Sequence, residues 1–79
     1  MVLLANTWGS NMLVSFEMRY GEFEGVRSLF KVDGDEVKVQ VLDNRWHDIT
    51  ECSDEFLVDV WFQCANLEVK RAIEALGLV

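Results

Sequence analysis

From Met12 to Val41 the chain alternates between apolar and polar positions. Met12, Val14, Phe16, Met18 and Tyr20 lie on one side, and Leu13, Ser15, Glu17 and Arg19 on the other. That period of two predicts a strand with one buried face. Gly21-Glu22-Phe23-Glu24-Gly25 interrupts it as a turn, because glycine takes positive φ without steric cost. Alternation resumes from Val26 to Val32, with Val26, Ser28, Phe30 and Val32 opposing Arg27, Leu29 and Lys31. Asp33-Gly34-Asp35-Glu36 follows, and Asp-Gly suits the primed turns that match strand twist. Val37, Val39 and Val41 form the inward set of the next strand, with Lys38 and Gln40 outward. Asp43-Asn44-Arg45 makes another turn, and Trp46 to Ile49 reads as a short further strand. Met1 to Ala5 is expected to add an edge strand, with Asn6 to Asn11 as a polar loop.

The C-terminus has helical spacing. Asn66 is a good N-cap, and Glu68 sits near the positive end of the helix dipole. Val69, Ala72, Ile73 and Leu76 form one apolar stripe, while Lys70 and Glu74 are placed to pair across a turn. Gly77 fits the left-handed C′ position, with Leu78 folding back on Ile73.

Two readings compete over Ser53 to Ala65. The alternation of Phe56, Val58, Val60, Phe62 and Cys64, with its β-branched and aromatic content, predicts a strand. Ser53-Asp54-Glu55 instead resembles a helix start, and Val58, Phe62, Ala65 and Val69 would continue one helical stripe into the C-terminus. The strand is favoured because propensity and period agree there, whereas Asn66 would sit awkwardly inside a continuous helix. As a strand, the segment turns Leu57, Asp59 and Trp61 outward. As a helix, it takes Trp61 into the core.

The expected fold is therefore α+β: an antiparallel meander of about five strands, one face covered by one C-terminal helix. Residues 1–79 make a single domain, since a chain of 79 residues has room for one core. With 51% apolar residues the chain has the material for that core. No apolar stretch reaches membrane length, and Val2-Leu3-Leu4-Ala5 is too short for a signal peptide. A cytoplasmic location is expected, and Cys52 and Cys64, without metal-type spacing, are expected as packed, reduced thiols.

Charge changes this picture most. The formal net charge is −7, and the stretch Asp48–Asp59 holds Asp48, Glu51, Asp54, Glu55 and Asp59 with no Lys or Arg. Such a surface repels phosphate and attracts basic protein. Direct nucleic-acid binding needs a basic footprint, and the seven basic residues are scattered.

Other candidate chemistry is sparse. His47, Asp48 and Cys52 supply the residue types of a base, an orienting acid and a nucleophile, but neighbours on a strand face opposite ways. Asp33, Asp35 and Glu36 offer oxygen ligands for a hard cation, yet Asn44 stands where an EF-hand loop from Asp33 needs its glutamate. No phosphate-binding glycine pattern is present, and no catalytic residue, cofactor or metal is assigned.

The leading expectation is a non-enzymatic inhibitor or regulator that occupies a basic, nucleic-acid-handling partner. Asp48, Glu51, Asp54, Glu55 and Asp59 would match its charge and Trp61 would anchor it. In size and charge alone this resembles the small acidic anti-restriction and anti-CRISPR proteins of phages and mobile elements. The alternative is an assembly module that forms a homo-oligomer or subunit contact through an exposed strand edge or the Leu57–Trp61 face.

Overall fold

The computed structural model describes residues 11–79. The expected edge strand at Met1–Ala5 lies outside them. The fold is α+β, with an antiparallel sheet of four strands in the order β1-β2-β3-β4 and two helices. The strands are β1 (Asn11–Glu17), β2 (Arg27–Asp33), β3 (Glu36–Gln40) and β4 (His47–Asp48). A 3₁₀ turn at Ile49–Glu51 leads into α1 (Asp54–Gln63) and α2 (Leu67–Ala75).

The meander follows the period-two pattern. Val14 pairs with Phe30 and Phe30 with Val39, so the inward residues of three strands form one row. Asp33 pairs with Glu36, so Gly34-Asp35 is the two-residue loop, and Gly34 takes φ +62° at its first position, where a Gly-X hairpin turn requires glycine. At the other end Met18 continues the pairing beyond β1: its N–H donates to the Val26 carbonyl (3.0 Å), and its carbonyl accepts from Gly25 N–H (2.8 Å). The outward face carries Lys31 opposite Lys38. Lys31 lies 5.2 Å from the centroid of the Trp46 ring, and Lys38 is opposite Asp48, so each like charge has a compensating neighbour.

Phe56–Cys64 is not a strand, and the helix count rises from one to two. Ser53 caps α1 by accepting from Phe56 N–H (3.2 Å), with Asp54 and Glu55 in the first turn. Phe56, Leu57, Val60, Gln63 and Cys64 are buried, which is the spacing of one helix face. Residues 56, 60 and 64 satisfy a period of two and a period near four equally well. Phe62, which the alternation and the Val58–Phe62–Ala65–Val69 stripe both turned inward, is 64% exposed, so the helix buries a different face from the expected stripe. Asn66 is not inside a helix either. Cys64 turns extended (φ −83°, ψ 138°), α1 ends, and Asn66 caps α2 by accepting from Val69 N–H at 3.0 Å.

Both helices pack on the inward face of the sheet. Met18, Phe30, Val39, Leu57, Val60, Val69 and Ile73 are fully buried between them. Leu57 thus belongs to the core and not to an outward patch. Gly77 takes φ +81° and donates to the Glu74 carbonyl (2.9 Å), closing α2 as its sequence predicts. The expected Lys70–Glu74 pair is replaced by a shared engagement of Trp61, described below.

Candidate functional site

The acidic run divides at Ser53. Upstream, Asp48 caps the 3₁₀ turn: its Oδ1 accepts from Thr50 N–H (3.0 Å) and Thr50 Oγ1 (2.9 Å). The bond from the Thr50 backbone, then that from its hydroxyl, hold the Asp48 carboxyl below the usual carboxylate range, and Lys38 adds to this. Glu51 accepts from His47 Nδ1 at 3.0 Å. Both upstream acids are thus engaged within the fold.

Downstream, Asp54, Glu55 and Asp59 lie on α1. They line a shallow depression with Val58 and with Glu22 of the turn after β1. Asp59 is half-buried, its carboxylate resting against Gly21. No ion pair among the described residues involves any of these four acids. Glu55, Val58 and Phe62 recur at helical spacing, so the exposed Phe62 ring lies on the same helix face as the depression. The result is an apolar ridge flanked by carboxylates, on a helix that carries no Lys or Arg.

Trp61 plays a different part from the outward anchor expected of it. The ring is half-buried and packed against the core. Its Nε1–H donates to Glu74 Oε2 (2.9 Å), and Lys70 Nζ lies 4.5 Å from the ring centroid. Its edge meets Phe62 with centroids 5.2 Å apart and an interplanar angle of 88°. Trp61 therefore ties α1 to α2 and buttresses Phe62, whose ring is presented to solvent. The alternation and the Val58–Phe62 helical stripe both turn Phe62 inward; the buried set Phe56, Leu57, Val60 and Cys64 is what places it outside.

His47 and Cys52 do not form a base–nucleophile pair. Both imidazole nitrogens contact carboxylates, Nδ1 with Glu51 (3.0 Å) and Nε2 with Asp43 (3.1 Å). The hydrogen bond to Asp43, then that to Glu51, raise the His47 pKa above its ordinary value. Burial, then the charges of Glu51 and Asp48, push the Cys52 thiol up, so the sulfur stays protonated at neutral pH. Asp33, Asp35 and Glu36 are exposed at the hairpin tip. Among the described residues no three His, Cys, Asp or Glu side chains are placed to share a metal ion. No described helix is long and apolar enough to cross a membrane.

Comparison with protein-family models, with curated proteins and with solved structures finds no match to this chain.

Proposed function

We propose that the chain is a protein-binding inhibitor or regulator that docks the outward face of α1 on a basic partner, one that handles nucleic acid. The observation that carries this reading is the coincidence on one helix face of an exposed phenyl ring and unpaired acids. Phe62 is 64% exposed, Val58 lies a turn before it, and Asp54, Glu55, Asp59 and Glu22 surround that end. An apolar centre with a charged rim is the usual composition of a contact that gains affinity from burial and partner choice from charge. Carboxylates spaced along a rigid helix can take the place of phosphates against Arg and Lys, which points to a groove that otherwise holds nucleic acid. The two free thiols fit a reducing compartment, and the cytoplasm is the location proposed.

The test is a pull-down from the native host at low and at raised salt, followed by binding kinetics with the partner recovered. A basic nucleic-acid-binding protein released by salt is the expected result. Asp54→Lys with Glu55→Lys should slow association at least tenfold, and Phe62→Ala should speed dissociation. An unchanged association rate in the charge-reversed protein removes the reading.

A second reading rests on β1. It is an edge strand of the described sheet, and Leu13 on its outward side is 61% exposed. Self-association through that edge would make the chain an assembly module. Salt-insensitive dimers on a sizing column, abolished by Leu13→Lys, would favour it over the first.

A further inference from the structure

Away from α1, an apolar groove opens between the turn after β1 and the segment that leaves β3. Phe23, Val26, Val41, Leu42, Cys52 and Phe56 line it. One wall is Val41–Leu42, and Leu42 is 89% exposed. The facing wall is Cys52. The residue following Leu42 is Asp43 and the residue preceding Cys52 is Glu51, so His47 bonds the residue beside each wall, one through each ring nitrogen.

We infer that His47 is a proton-operated clasp across this groove, holding the Leu42 wall to the Cys52 wall when the ring is a cation and releasing it when the ring is neutral. The chemistry follows from the donor inventory. A carboxylate accepts and does not donate, so two carboxylates on two ring nitrogens require two N–H groups. Only the imidazolium has both. Loss of either proton sets a nitrogen lone pair against a carboxylate oxygen and cuts the bridge, whichever tautomer remains.

The two walls are not equally anchored. The 3₁₀ turn is pinned by buried Ile49, by the Asp48 cap and by the Ser53 cap that follows. The loop is held through Arg45 N–H to Asp43 Oδ1 (3.2 Å) and Gln40 Nε2 to the Asn44 carbonyl (3.1 Å), both exposed. The Leu42 wall is therefore the one that moves. Among the groups around the ring, His47 is the one whose change of charge makes or breaks the bridge. Asp43 and Glu51 face it as carboxylates, Arg45 acts on Asp43 from within the loop, and Asp48 beside it is engaged by Thr50 and Lys38. Its strand neighbour on β3 is the uncharged Val39, and the Cys52 thiol stays protonated.

The experiment is an NMR titration of the intact chain from about pH 5 to about pH 9, where an unperturbed histidine changes charge. The His47 ring should titrate above 6.5, and the Leu42 methyl and Cys52 amide signals should move with the same midpoint. In His47→Gln those signals should be flat and rest at their alkaline positions. Asp43→Asn, which keeps an acceptor for Arg45 N–H, should lower the midpoint and abolish the Leu42 response. A ring midpoint at or below 6.5, or Leu42 signals that ignore the transition in the unsubstituted chain, would overturn the clasp.

Discussion

The side-chain amide of Gln63, on α1, bonds the backbone at the end of the first strand: its Oε1 accepts from Arg19 N–H at 2.7 Å. Its Nε2 donates to the next carbonyl, that of Tyr20, at 2.9 Å. The amide thus behaves as one more peptide unit of a neighbouring strand, at the place where β1 has run out of partners.

Gln63 is 8% exposed and both of its bonds are part-buried, so removing its amide leaves two backbone groups without their partner. Gln63→Leu should cost about 1–3 kcal/mol, the desolvation penalty of stranded partners. Urea unfolding measures it directly. A loss below about 0.5 kcal/mol would mean that water takes over both bonds.

Ser28 is the opposite case. Its hydroxyl is buried on the inward face opposite Phe16, and no partner for it is present among the described residues. Ser28→Ala should leave stability unchanged or raise it by about 1 kcal/mol, since no bond is lost and a polar atom leaves the core. A marked drop in melting temperature would contradict that assignment.

Trp61→Phe should separate the indole bond from the ring. The substitution keeps aromatic bulk under Lys70 and beside Phe62 but loses the donor to Glu74. The expected cost is under about 1.5 kcal/mol for one hydrogen bond at the surface. Glu74→Gln in the same background should add little further, because its partner has already gone.

Stability should also depend on pH on both sides of a plateau. His47 has a raised folded-state pKa, so its contribution is whole below about 6.5 and is lost as pH rises through the raised value. Asp43 is lowered, first by the Arg45 backbone bond and then by His47. Its contribution is whole above about 3.9 and is lost as pH falls through the lowered value. Denaturation midpoints should therefore be highest between those limits, and His47→Gln should flatten the alkaline limb and shrink, without removing, the acidic one.

The strands were legible because alternation, glycine turns and Asp-Gly all point the same way between Met12 and Val41. The helix after Ser53 was hidden by chemistry, not by lack of signal. Phe56, Val60 and Cys64 serve either period, and valines and aromatics favour strands when judged alone. The Ser53 cap, the acids of the first turn and the Asn66 cap outweigh that preference once the chain breaks at Cys64. In the candidate site, acids could be counted from sequence but not their partners. Asp48 and Glu51 are taken up by Thr50 and His47, contacts that depend on a 3₁₀ turn no pattern announced.

The break at Cys64–Asn66 leaves α1 only ten residues long. A helix that short is scarcely populated in water by itself, because nucleation is costly and few bonds follow it. A peptide cut from residues 53–66 would carry Asp54, Glu55, Asp59 and the Phe62 ring, yet would spend most of its time with them unaligned. On the proposed function, recognition and folding are then one cooperative event, and whatever loosens the sheet also erases the proposed docking face.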